Sequence, residues 1–206
     1  MTFDPQYGNT LVDNEDLAQF TEQARDLLGD SVTQADLYDL EQAIQVQVTE
    51  DLLTQVLDES LAIEDMLHDH FLRDLHAQLY GDIWTWAGQF RLRETNIGVA
   101  PEMIAVELRN ALDDLRYRWR HTDDLTPRQL GITAHAATVR IHPFVDGNGR
   151  TTRLLADLLF AAAQDDEPLQ QYDWQLDKAN YIARLREYDR TRDATELAAF
   201  VAIHPA

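Results

Sequence analysis

Residues 142–153 read HPFVDGNGRTTR, and the rest of the fold is inferred outward from this stretch. Pro143 disfavours helical backbone at His142, so a helix arriving from the N-terminal side stops there. The Gly-Asn-Gly run at 147–149 then supplies the backbone freedom of a tight turn. Beyond it Leu154, Leu155, Leu158, Leu159 and Ala162 fall on one face of a new helix. Arg150 and Arg153 stand in the first turn of that helix, where the macrodipole favours anions and opposes cations. The placement is favourable only with something negative among those groups.

Upstream, Thr126-Pro127-Arg128-Gln129 is a capping box with proline at the first helical position, which predicts a helix from there to about Arg140. Apolar residues at three- and four-residue spacing predict helices over 36–57 (Leu37 to Val56), 61–79 (Leu61 to Leu79) and from Ile104 to Trp119. Two more are expected, at about Gln175–Asp189 and Ala194–Ile203. The segment IWTWAGQFRLRETNIGVAP, residues 83–101, breaks the helical period and reads as a loop with a short hairpin. The class is mainly α: a helical bundle with one short β-hairpin. Polar turn-forming residues over the first 15 positions suggest a loosely held arm.

Composition narrows the function. A chain of 206 residues supports one domain with an extension, divided here into an arm and helical extension at 1–60 and a main domain at 61–206. With 37 acidic against 17 basic residues and a formal charge of −20, general affinity for nucleic acid is not expected. No apolar run is long enough to span a bilayer and no export signal opens the chain, so no membrane partner and a cytoplasmic location are expected. The absence of cysteine leaves histidine and carboxylates to carry any chemistry.

Within residues 142–153 the parts of a phosphate site stand together. Successive amides of Gly147, Asn148 and Gly149 form a concave nest for an anion at a helix N-terminus. Arg150 and Arg153, three residues apart, share a helix face and offer guanidinium forks. Asp146 is a lone carboxylate beside the nest, the usual way of holding Mg²⁺ next to phosphates, and His142 is a titratable base on the other side of the loop. A Walker A loop is excluded, since there is no lysine and Phe144 stands where its first glycine would fall.

The stretch resembles the signature of the Fic family, H-x-F-x-[DE]-G-N-G-R-x-x-R, at every specified position. WTWAGQFRLRETNIGV resembles the region preceding that signature, particularly in a group found on mobile elements, and YIARLREYDRTRDATELAAFV resembles the closing helices, so the likeness covers roughly residues 69–203. The resemblance implies transfer of AMP from Mg·ATP to a Ser, Thr or Tyr hydroxyl of a target protein. It assigns His142 as base, Asp146 to Mg²⁺, Gly147, Asn148, Gly149 and Arg150 to the phosphates, and Arg153 to the γ-phosphate. Thr95, Asn96, Ile97 and Val99 would form a flap that pairs with the target, and Tyr181 would belong to the adenine pocket.

SLAIED, residues 60–65, resembles an inhibitory pattern, [ST]-x-x-x-E-[GN], at Ser60 and Glu64 and departs from it at Asp65. It implies that Glu64 pairs with Arg153 and blocks the γ-phosphate; without that pairing, inhibition of a toxin-like enzyme comes from a separate antitoxin-like partner or is absent. Alternatives are a relative that transfers phosphate or another nucleotide or removes AMP, and a non-catalytic ATP-binding module.

Overall fold

The computed structural model describes residues 11–29, 31–165 and 168–206. Among them are ten α-helices, one 3-10 turn and two short strands. In chain order these are α1 (Asn14–Leu17), α2 (Glu22–Leu28), α3 (Gln34–Leu57), α4 (Ile63–Met66), α5 (Asp69–Tyr80), the 3-10 turn Pro101–Met103, α6 (Ile104–His121), α7 (Pro127–Ile141), α8 (Asn148–Ala162), β1 (Gln170–Tyr172), α9 (Lys178–Thr191), α10 (Thr195–Phe200) and β2 (Ile203–Pro205). None is long and apolar enough to cross a membrane.

The centre of the bundle is α7. Its start is the expected reciprocal box, in which Thr126 accepts from the Gln129 amide and Gln129 accepts from Thr126. Every residue from Leu130 to Thr138 is buried, so the helix is covered all round rather than on one stripe. It packs on α8 at backbone distance. A Cβ on Gly131 would lie 2.6 Å from the Ala156 carbonyl oxygen, so only glycine permits this approach. Leu72, Leu75 and Leu79 of α5, Leu108, Leu112 and Leu115 of α6, and Leu155, Leu158 and Leu159 of α8 form the main core. Ile132, Phe160, Tyr172, Leu197 and Val201 form a second one under α9 and α10.

The N-terminal segment shares the main core through Phe20, Leu37, Leu52 and Val56. It is also stitched to the loop after α5: the Thr21 amide donates to the Ile83 carbonyl and the Thr85 amide to the Gln19 carbonyl, both at 2.9 Å, and Phe20 sits edge-on to Trp84. The first ten positions of the expected arm lie outside the described residues.

Two expectations change. The helix predicted over 61–79 is divided into α4 and α5 by extended backbone at His68. Arg116 of α6 binds the Leu67 carbonyl and the His68 ring there, taking up groups that a continuous helix would have turned elsewhere. The strand pair is present, but not at the flap: β1 and β2 pair antiparallel, with Gln171 opposite His204. Residues 89–99 form no ladder, because the Arg91 guanidinium gathers the carbonyls of Arg93 and Val99, which a hairpin would have paired across its strands.

Candidate active site

His142 ends α7 in the left-handed conformation (φ 51°, ψ 63°), with its amide donating to the Thr138 carbonyl at 3.0 Å. This backbone tips the imidazole out of the helix line. Its carbonyl accepts from Arg91 Nε at 2.7 Å. The buried Arg91 therefore ties His142, Arg93 and Val99 into one unit, and the Arg91 amide adds a bond to the Pro143 carbonyl. Burial first and then the Arg91 cation push the imidazole below the ordinary histidine range, with Asp146 pulling weakly the other way. A neutral ring is what a general base needs.

The loop between α7 and α8 is held from inside. Phe144 is fully buried and stacks at 3.8 Å on His76 of α5. The Asn148 side chain clasps Phe144 twice, accepting from its amide and donating to its carbonyl at 2.9 Å each. The Asn148 side chain thus braces the loop, which leaves its main-chain amide to the nest. Gly147 takes φ +72°, and a Cβ there would stand 2.5 Å from the Tyr80 ring. The amides of Asn148, Gly149 and Arg150 donate to no acceptor among the described residues, which leaves the open helix end expected of an anion nest.

The two arginines are treated differently by the fold. Arg150 does not point free toward the nest. Its Nη1 lies 2.5 Å from Glu41 Oε2 of α3, and its guanidinium stacks over Tyr80 at 5.1 Å. Arg153, one turn further on, has no ion pair or hydrogen bond to its guanidinium among the described residues, and it lies near the buried His135 and the half-buried Asp157 and Tyr181. His135 Nε2 bonds the Tyr181 hydroxyl at 2.6 Å, and burial holds this histidine neutral down to about pH 3. Asp157 accepts both its bonds from the Trp174 indole, and burial raises its carboxyl to about 7 against the pull of that indole and of Arg153. Tyr181 is thereby placed on this side of the site, its hydroxyl already engaged.

Glu64 does not meet Arg153. It lies 3.7 Å from Arg120 on the outer side of α6, while the Ser60 hydroxyl donates to the Gln55 carbonyl. The expected inhibitory pairing is therefore not made in this structure: α4 packs on α5 and α8, and the Glu64 side chain turns to Arg120. In the flap, Thr95, Asn96 and Ile97 are exposed, Thr95 donates to the Ile97 carbonyl, and the half-buried Val99 donates to the Ile141 carbonyl. Leu92, 90% exposed, and Ile97, 56% exposed, present apolar side chains beside the site.

Asp146 is exposed, and its carbonyl is fixed by His76 Nε2 at 3.1 Å. Among the described residues no three His, Asp or Glu side chains converge as a metal cage. A single exposed carboxylate beside three free amides suits a Mg²⁺ ion that arrives with phosphate oxygens as its other ligands.

Arg91, His76, Glu41 and Asp157 are absent from the sequence-derived site. Each lies far from the signature or faces inward, and only tertiary contact reveals it.

Residues 66–160 match the family model described as the Fic/DOC family. The chain is 34% identical over 113 residues to protein adenylyltransferase fic-1 of Caenorhabditis elegans, covering 52% of this chain and 20% of that protein. It is 33% identical over 119 residues to protein adenylyltransferase Fic of Drosophila melanogaster, covering 54% and 22%. The chain thus spans about a fifth of the length of these curated relatives. Among solved structures, BepC of Bartonella tribocorum with bound AMPPNP superposes with a TM-score of 0.59 at 16% identity, covering 90% of this chain and 100% of that one. The stretch similar to the Fic/DOC family, residues 66–160, is the one that holds the His142 loop and the nest.

Proposed function

We propose that the protein transfers AMP from ATP to a hydroxyl side chain of a target protein. The observation that carries this reading is the placement of a base held in its neutral form, His142, at one end of a loop whose other end offers three free amides and, one turn on, the unpaired Arg153. In this reading the nest and Arg153 hold the phosphate chain and direct the α-phosphorus toward His142. His142 takes the proton from the target hydroxyl as its oxygen forms a bond to that phosphorus, and the bond to the β-phosphate bridge breaks to release pyrophosphate. Asp146 would hold Mg²⁺, which when bound neutralises charge on the phosphates. The adenylyltransferase names of the relatives and the AMPPNP in the BepC structure support the same assignment.

Other roles follow from position. The exposed segment from Thr95 to Ile97 would pair through its main chain with an extended target segment, with Ile97 against its side chains. Tyr181 would border the base of the nucleotide. A cytoplasmic site of action and control by an antitoxin-like partner complete the proposal.

The test is incubation with Mg²⁺ and ATP labelled at the α- or the γ-phosphate, beside His142→Ala. Label on protein from the α-phosphate alone, lost in the variant, is the expected result. Label from the γ-phosphate would replace AMP transfer by phosphate transfer.

A further inference from the structure

The Glu41–Arg150 contact joins α3 to the nucleotide site, and neither residue's sequence context announces it. Glu41 is almost fully buried, and both its oxygens are used: Oε1 accepts from Trp84 Nε1 at 2.9 Å and Oε2 pairs with Arg150 at 2.5 Å. Burying a carboxylate is costly unless it is paired and hydrogen-bonded, and here both conditions are met. The Arg150 guanidinium makes no other hydrogen bond among the described residues, and it covers the Tyr80 ring. That ring in turn supports Gly147, the residue that sets the nest.

The contacts form a continuous bracket from α3 through Arg150 and Tyr80 to the turn. We propose that Glu41 is a positioning residue: it holds Arg150 over Tyr80, so that the arginine fixes the geometry of the nest and presents its remaining donors from one direction, while Arg153 is the freely available phosphate cation. The inference rests on the nucleotide-binding part of the functional reading above. It makes α3, which lies outside the stretch matched by the family model, part of the nucleotide site.

The test measures the affinity of the purified protein for a non-hydrolysable ATP analogue with Mg²⁺, together with thermal stability, in the unsubstituted chain, Glu41→Gln, Glu41→Ala, Arg150→Met and the Glu41→Ala/Arg150→Met pair. Glu41→Ala is expected to weaken binding about ten-fold and Glu41→Gln, which keeps an acceptor oxygen, about three-fold, as for loss or weakening of one charge-assisted contact. In transfer assays the loss should appear in KM for ATP more than in kcat. In the Arg150→Met background Glu41→Ala should add less than about two-fold, since coupled residues are non-additive. A purely structural role would leave analogue affinity unchanged once the variants are folded. Glu41→Gln, which buries no unpaired charge of its own, decides the question should the alanine variant fail to fold.

Unchanged or tighter binding in the Glu41 variants, or an undiminished loss in the Arg150→Met background, overturns the proposal. No binding by the unsubstituted chain overturns the functional reading itself.

Discussion

His76 Nε2 bonds the main-chain carbonyl of Asp146 at 3.1 Å, while the Gly88 amide donates to the Nδ1 of the same ring at 2.9 Å. The second bond requires a bare Nδ1, so the proton resides on Nε2 and the ring donates it to the signature loop. A cationic His76 would break the Gly88 contact, and burial accordingly lowers its pKa from 6.5 to about 4. Between those values the unfolded chain binds a proton that the folded chain excludes, so stability falls as pH drops below 6.5 and levels out near 4. The full loss is roughly 3 kcal/mol. His135, also held neutral by burial, adds in the same direction. Denaturant titrations at pH 7 and pH 5 should show the decline. It should be smaller in His76→Gln, whose amide can both donate to Asp146 and accept from Gly88 without titrating. Equal slopes in the two proteins would remove His76 from this account.

Gly98 couples the flap to the base. It takes φ +96°, and a Cβ there would meet His142 Cβ at 2.7 Å, Arg91 Nη2 at 2.8 Å and the Ile141 carbonyl at 3.0 Å. Gly98→Ala should therefore cost about 3 kcal/mol in backbone strain and overpacking. It should also reduce transfer at least ~ten-fold, because a displaced base is out of line with its proton. Gly29→Ala is the control: φ is +69° but nothing lies within 4 Å of the added atom, so only strain of about 1–2 kcal/mol is expected and transfer should be retained. Equal effects of the two substitutions on transfer would show that the Gly98 contact does not position His142.

The sequence was most legible where local rules act alone. The Thr126 capping box, the stop at His142 and the restart at Gly147 need only nearest-neighbour sterics and helix-end chemistry, and all three are found. The flap was misread because its aromatic and β-branched residues mimic a strand, while the decision belongs to Arg91, a buried cation among carbonyls that no periodicity reveals. That a carboxylate engages Arg150 and leaves Arg153 unpaired among the described residues could not be read from the sequence, because Glu41 arrives from 109 residues away. The half-buried pair Asp157 and Trp174 was likewise invisible, since an aspartate on a helix reads as solvent-facing until the fold covers it.

Glu64→Gly should leave self-modification unchanged within about two-fold, because Glu64 engages Arg120 through a largely exposed pair that contributes at most ~1 kcal/mol. The measurement is the rate of AMP incorporation from α-labelled ATP in the two proteins. A large rise would mean that Glu64 reaches Arg153 in a second conformation, which would restore the inhibitory reading of residues 60–65.

Asp157 gives the opposite pH signature from the histidines. Burial raises its carboxyl from 3.8 to about 7, so between those values the folded chain holds a proton that the unfolded chain has released. This term lowers stability as pH rises from 3.8 through 7. Asp157→Asn keeps an acceptor oxygen for the Trp174 indole and removes the titration. The variant should therefore gain stability relative to the unsubstituted protein as pH is raised from 4 to 7, with a plateau above that, and denaturant midpoints across the range measure it. Arg153 sets how far the gain extends: its cation already favours the ionised carboxylate, so in an Arg153→Met background the advantage of asparagine should grow and its plateau move to higher pH. An advantage that is flat with pH in both backgrounds would mean that water reaches Asp157 and that its carboxylate ionises at an ordinary value.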